Sequence, residues 1–190
     1  SIFDEGNYAD KVIERTLKKD PRWGARDRRF IAETTYDIVR WYRLYIEAGN
    51  IHGKDFSGLL KVWCAINEIE IPPWLGSLPV TYHDFQKRLE NARTIRKIRE
   101  SIPDWLADTG EEELPSDWGR EIHALNATAT VVLRANTLKT SRKELQKILP
   151  RSETETYPVQ LSPDALALKE RKNIFQLDAF RDGLFEVQDA

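Results

Sequence analysis

The 190-residue chain contains no methionine, one cysteine and three histidines. A lone cysteine excludes an intrachain disulfide framework and a multi-cysteine zinc site. His52, His83 and His123 stand apart, with no His-x-x-x-His pair and no cysteine beside them, so no metal site is expected. Cys64 lies in VWCAI on an apolar helical stretch, without a histidine or a cluster of cations to lower its pKa. It reads as a small buried hydrophobe rather than a nucleophile. Gly49, Gly53 and Gly58 follow a helical pattern rather than a strand, which argues against a phosphate-cradling loop. No apolar run approaches the roughly 18 residues of a spanning helix, and SIFDEGNYADK has no apolar signal core, so a cytoplasmic setting is expected. No repeat or low-complexity tract occurs. A chain of this length without methionine that begins at Ser1 is unusual.

What is present supports a folded chain. Hydrophobic residues make up 41% of it and include six tryptophans, enough for a core, while 32% is charged. The net charge of -2 argues against a uniformly basic surface, yet the charge is uneven along the chain. Residues 1–100 carry 18 Lys and Arg against 15 Asp and Glu, and residues 101–190 carry 11 against 16. A basic face on the first half is permitted, though not required.

Four amphipathic helices are predicted in that half. Tyr8, Val12, Ile13 and Leu17 mark the first, over 8–19, closed by Pro21. The second and longest carries Phe30, Ile31, Ile38, Trp41, Tyr42 and Tyr45 on one face and stops at Gly49-Asn50. The third runs from about 56 to 71, through Leu59, Val62, Trp63 and Ile66, up to Pro72-Pro73. After the turn-rich PPWLGSLPV, the fourth spans about 82–101 with Phe85, Leu89, Ala92, Ile95 and Ile98 inward. Together they make a helical bundle over 1–101. Residues 102–127 read as a helical connector, in which Ser116 caps a helix bearing Trp118, Ile122 and Leu125, and Glu111–Glu113 form a solvated acidic face near that helix start.

The last third changes period. Val131, Leu133 and Ala135 alternate with Val132, Arg134 and Asn136, as in a half-buried strand. Thr140 or Ser141 caps a short helix with Leu145, Ile148 and Leu149, ended by Pro150. Tyr157-Pro158-Val159, Ala165–Leu168 and, after Asp182-Gly183, Leu184–Gln188 are further extended segments. An α+β unit over 128–190 follows.

Three separated words, LRANTLKTSRKEL, PDALALKERKNIFQL and DGLFEVQDA, occur here in the order in which they stand in the Sun/RsmB-type ribosomal RNA cytosine-5 methyltransferases, and residues 100–190 resemble that family. SIPDWLADTG is similar to its linker, and ARDRRFIAETTYDIVRWYR resembles its NusB-like helical domain. The resemblance implies a mainly α chain: a NusB-like bundle, a helical connector and an incomplete RRM- or ferredoxin-like subdomain. It also implies that the S-adenosylmethionine-binding sheet and both catalytic cysteines lie downstream of Ala190. On that reading the chain holds no catalytic residue, cofactor site or metal, is inactive alone, and serves an enzyme whose cysteine thiolate attacks cytosine C6 before C5 is methylated. Its partners are then ribosomal RNA, expected to be that of the small subunit, and its own catalytic domain, with neither membrane nor DNA.

Three groups of residues are candidates for RNA contact. Arg22, Arg26 and Arg29, with Arg28, surround Trp23 at the entry to the long helix; guanidinium beside an aromatic suits phosphate and base, but Asp20, Asp27 and Glu33 are equally placed to pair with them. The fourth helix has Lys87, Arg88, Arg93, Arg96, Lys97 and Arg99 opposed only by Glu90, a density that suits phosphates or docking onto acidic partners. Arg134, Asn136 and Lys139 come from the LRANTLK word, and clamp RNA or brace the adjoining domain. Lys169, Arg171 and Lys172 occupy a turn, and Gln188 and Asp189 an exposed edge. A stand-alone NusB-like module acting through protein contacts is the competing function, and a purely structural brace a third.

Overall fold

A computed structural model describes residues 6–188, which form two compact units that meet in the chain between Asn126 and Ala127. The first is helical: α1 (Ala9–Leu17), α2 (Ala25–Arg40), α3 (Tyr42–Gly49), α4 (Phe56–Ile66), α5 (Tyr82–Thr94), α6 (Arg96–Arg99), α7 (Asp104–Glu113) and α8 (Trp118–Asn126). Tyr45, Ala48, Leu59, Val62 and Phe85 lie at the centre of its core, each 2% exposed or less. Cys64 belongs to the same core, and burial pushes its thiol pKa up, which leaves it an inert thiol.

Three predicted helices are shorter or divided. The long one breaks at Trp41 (φ -102, ψ 20), where α2 gives way to α3. The fourth breaks at Ile95 (φ -95, ψ 109). There the β-branched pair Thr94-Ile95 weakens the helix, and the Thr94 hydroxyl donates back to the Asn91 carbonyl at 2.7 Å. The third stops at Ile66, well before Pro72, because Glu68 turns left-handed (φ 55) and the Ile69 amide bonds to the Cys64 carbonyl at 2.9 Å. Asn50 caps α3 in the left-handed conformation (φ 50, ψ 45), as Gly49-Asn50 predicted.

The connector helices have a small core of their own, Ile102, Ala107, Trp118 and Ile122. Polar contacts fasten them to the bundle. Arg43 donates to the Ile102 carbonyl (2.7 Å) and to Asp104 (2.8 Å), Lys97 pairs with Asp104 (2.8 Å), and Asn126 donates to the buried Glu100 carboxylate (2.7 Å). Glu111–Glu113 form the last turn of α7 rather than preceding α8, and Arg96 offsets Glu111 there at 3.2 Å. Lys97 first, then Arg43, hold the Asp104 carboxyl below its ordinary value. A carboxyl depressed on folding contributes stability that is complete above its unfolded pKa, about 3.9, and is lost as pH falls through the lower folded value. Asp104→Asn should therefore lower the thermal midpoint at pH 7, and the gap to wild type should narrow as pH falls below the unfolded value of about 3.9. A gap that persists in acid, in melts from pH 2.5 to 7, would refute the ion-pair account.

The second unit runs β1 (Val132–Ala135), α9 (Arg142–Ile148), β2 (Thr156–Pro158), β3 (Ala165–Leu168), α10 (Asp178–Arg181) and β4 (Phe185–Val187). The strands form one antiparallel sheet in the order β2-β3-β1-β4. This is the ferredoxin-like βαββαβ path. All four predicted strands are present, and α10, a single turn, is where the pattern falls short. Ser141 caps α9 with a capping box: its hydroxyl accepts from the Glu144 amide (3.3 Å), and the Glu144 carboxylate accepts from the Ser141 amide (3.0 Å). Leu133, Ala135, Leu166, Leu168 and Phe185 face the core with Leu145 and Leu149; Val132, Ala165 and Ala167 form a smaller apolar cluster.

Candidate nucleic-acid interface

The cations at the entry to α2 are mostly engaged. Arg22 grips Asp20 through two nitrogens (2.9 and 2.7 Å), which holds the Asp20 carboxyl below its usual range. Arg28 donates to the carbonyls of Leu17 (2.9 Å) and Trp23 (2.9 Å), closing the end of α1. Arg29 pairs with Glu33 (2.8 Å) on the exposed helix surface. Arg26 is exposed and without a side-chain partner among the described residues.

The predicted basic helix is thinned in the same way. Arg88 donates to the Glu47 carbonyl (2.9 Å) at the end of α3, Arg96 and Lys97 hold the connector, and Arg99 pairs with Glu100 (3.0 Å). Charge density in the sequence is thus spent largely on closing helix ends and fixing the connector. Lys87 and Arg93 alone of the six have side chains without partners among the described residues.

Arg93 stands at a cleft of about 250 Å³ that Asp37 on α2, Trp41, Tyr45 on α3, Asn67 after α4, and Arg99 on α6 also line. Arg40, which is not among the residues lining the cleft, lies over the Trp41 ring at 5.4 Å. Asp37 Oδ2 accepts from Tyr45 Oη (3.0 Å) and Trp63 Nε1 (2.7 Å). Burial, then the Asp37 charge, push the Tyr45 hydroxyl far above its ordinary value, and it remains a donor. Periodicity assigned Trp41 and Tyr45 to an apolar face and treated Asp37 and Asn67 as incidental. The adjacent Arg40-Trp41 at a helix break was the only local signal.

In the sheet unit, Arg134 is exposed on β1, paired across the sheet with Glu186 and Ala165, and donates to Gln188 (3.2 Å). Asn136 follows the strand; its amide donates to the Gly183 carbonyl (2.9 Å), while its carbonyl oxygen accepts from the Leu138 amide. Lys139 donates to the Asp182 carbonyl (2.7 Å), at the end of α10. Asn136 and Lys139 thus tie the turn after β1 to the one before β4. Lys169 pairs with Glu155 (2.6 Å), and Lys172 donates to the carbonyls of Ser152 and Glu153. Asp189 lies outside the described residues. On the face carrying Arg134, the two central strands present Val132, Ala165 and Ala167, with Tyr157 on edge strand β2 the one aromatic among the described strand residues of that face.

None of the four described strands leads through a glycine-rich turn into a helix, the arrangement a nucleotide-type cofactor loop requires. Among the described residues no group of three or more His, Cys, Asp or Glu could hold a metal, and no helix is long and apolar enough to cross a membrane.

Residues 102–175 match the family model described as "Methyltr_RsmF/B-like, ferredoxin-like domain". The chain is 34% identical over 88 residues to the ribosomal RNA small subunit methyltransferase B of Vibrio cholerae, covering 46% of this chain and 20% of that protein. It is 28% identical over 225 aligned positions to the probable ribosomal RNA small subunit methyltransferase B of Synechocystis, covering 97% of this chain and 49% of that one. The crystal structure of PH0851 shares the fold, with a TM-score of 0.54 at 16% identity over 94% of this chain and 48% of that chain. The chain spans less than half the length of these curated relatives.

Proposed function

This chain is a relative of the Sun/RsmB-type ribosomal RNA methyltransferases, and on that premise we propose that it is the RNA-holding region of such an enzyme. In this reading residues 1–101 are a NusB-like RNA-binding domain, 102–127 a helical connector, and 128–190 the subdomain next to a methyltransferase domain. That domain would bind S-adenosylmethionine and methylate cytosine C5 of small-subunit ribosomal RNA in the cytoplasm. The residues described here do not fit the methyl donor, since they include no glycine-rich strand-to-helix turn. Their task is to position RNA. Reaction at a base edge needs the base drawn out of its stack, and a separate grip on the flanking strand supports that step.

The observation that carries this reading is one cleft lined by Trp41, by Arg93, unpaired among the described residues, and by Arg99, with Arg40 over the same indole, because phosphate contacts need cations and unpaired bases stack on aromatic and guanidinium planes. The sheet unit is better suited to bracing. Its central strands carry buried alanine and valine where an RNA-recognition sheet would present exposed stacking aromatics, and Asn136 and Lys139 are committed to internal bonds.

Fluorescence anisotropy with a labelled small-subunit ribosomal RNA segment, across a salt series, tests the proposal. Two or three phosphate contacts should give a slope of log affinity against log salt of roughly -2, and Arg93→Glu should flatten it by about 0.7 or more. Arg96 and Lys97 are poor choices for reversal, since they hold Glu111 and Asp104. A folded protein that binds no RNA at low salt would overturn the proposal and leave a structural brace.

A further inference from the structure

We infer that the cleft between Asp37, Trp41, Asn67 and Arg93 takes a single unpaired nucleotide, with an amino-bearing base at its inner end and the phosphate at its rim. The inference rests on the RNA-holding reading and gives it one address.

The size fits. About 250 Å³ falls just below the range of roughly 300–1,000 Å³ usual for small-molecule sites, so the cleft admits one nucleoside unit rather than a dinucleotide cofactor. The chemistry is graded from one end to the other. Both internal hydrogen bonds to Asp37, a lining residue, fall on Oδ2, which leaves Oδ1 with its acceptor capacity unused among the described residues. The tyrosine and tryptophan donors that fix that carboxylate are themselves buried, so the acceptor is held in place before any ligand arrives. Asn67 is anchored in turn by its Nδ2 bond to the Trp63 carbonyl at 2.9 Å. A carboxylate oxygen can accept from the exocyclic amino group of adenine, cytosine or guanine, which projects beyond the ring, whereas uracil offers only its ring N3–H, which reaches less far. Trp41 and Leu44 supply the flat apolar wall.

At the outer end, Arg93 is exposed and its guanidinium is unpartnered among the described residues. Arg99 keeps Nη2 unassigned while Nε holds Glu100 and Nη1 reaches the Arg93 carbonyl at 3.5 Å. One cleft thus holds a cation, an aromatic and an acceptor, the three kinds of group that suit the phosphate, base ring and base edge of a nucleotide.

The test is a titration of the isotopically labelled chain with AMP, CMP, GMP and UMP, followed through the indole N–H signals of Trp41 and Trp63. Ribose 5-phosphate serves as control. Both indoles should shift with the three amino-bearing nucleotides, and UMP should bind roughly fivefold more weakly, the worth of one hydrogen bond. Arg93→Ala, a change at an exposed side chain, should abolish the shifts, and Arg93→Lys should restore part of them. Equal shifts with ribose 5-phosphate, no shifts at millimolar nucleotide, or shifts unaltered in Arg93→Ala would each overturn the assignment. If the indoles stay silent while the RNA segment still binds by anisotropy, the cleft is wrong and the RNA-holding reading survives. If the indoles respond but the RNA segment does not bind, the cleft stands and that reading fails.

Discussion

Truncating Phe185 to alanine should cost the sheet unit about 3–5 kcal/mol. Phe185 is 1% exposed, pairs with Ala135 across β1 and β4, and packs its ring against Phe180 at 5.7 Å. Removing it opens a cavity beside β4 and takes away one of the two aromatic rings that pack on Phe180 of the four-residue α10. A unit of some 60 residues has only a few kcal/mol in reserve, so the change should bring the sheet close to unfolding at 25 °C. The six tryptophans all precede residue 127 and report only on the helical unit. Amide exchange at Leu133 and Leu166, both 0% exposed, is the direct readout. Exchange there that remains as slow as in wild type would show that α9 and β3 carry the core without Phe185.

The second large effect is expected at Asp37. Asp37→Ala leaves the Tyr45 hydroxyl and the Trp63 indole N–H without their acceptor in a site where these side chains are only 2% and 8% exposed. Each stranded buried donor costs about 1–3 kcal/mol, so a total loss of about 2–6 kcal/mol follows. Asp37→Asn keeps an oxygen in the same place and should recover most of it, which separates the need for an acceptor from the need for a charge. Urea unfolding followed by tryptophan fluorescence measures both variants. An alanine variant as stable as wild type would mean that Asn67 or water takes over the two donors. The same residue is placed to meet a base, so its structural duty explains why Arg93 is the better probe of binding.

Much of this molecule can be read from local sequence because local physics decides it. Alternation with period two located β1, apolar stretches beside turn residues located the other three strands, and Thr140 or Ser141 marked the start of α9. Asn50 marked the left-handed end of α3. The helix breaks at Trp41 and Ile95 escaped, since apolar periodicity continues across both while the backbone dihedrals do not.

The basic clusters show the opposite limit. Counting charge around Arg22–Arg29 and along 87–99 suggests two phosphate-binding surfaces, yet charge alone does not say where a guanidinium finds its acceptor. Arg28 and Arg88 satisfy carbonyls at helix ends, and Arg96, Lys97 and Arg99 meet carboxylates. Those acceptors lie as many as 41 residues away from their donors, so only the folded chain could assign them.

The sequence alone determined the four strand segments, the helical character of the first half, the burial of Cys64 and the resemblance to ribosomal RNA methyltransferases, because each rests on neighbouring residues or on words kept in order. Tertiary structure alone decided which cations remain free and set Asp37, Asn67 and Arg93 around Trp41. These residues come from separate elements, and nothing but the packing of α2, α3, α4 and α5 brings an acceptor, an indole and a guanidinium to one cleft.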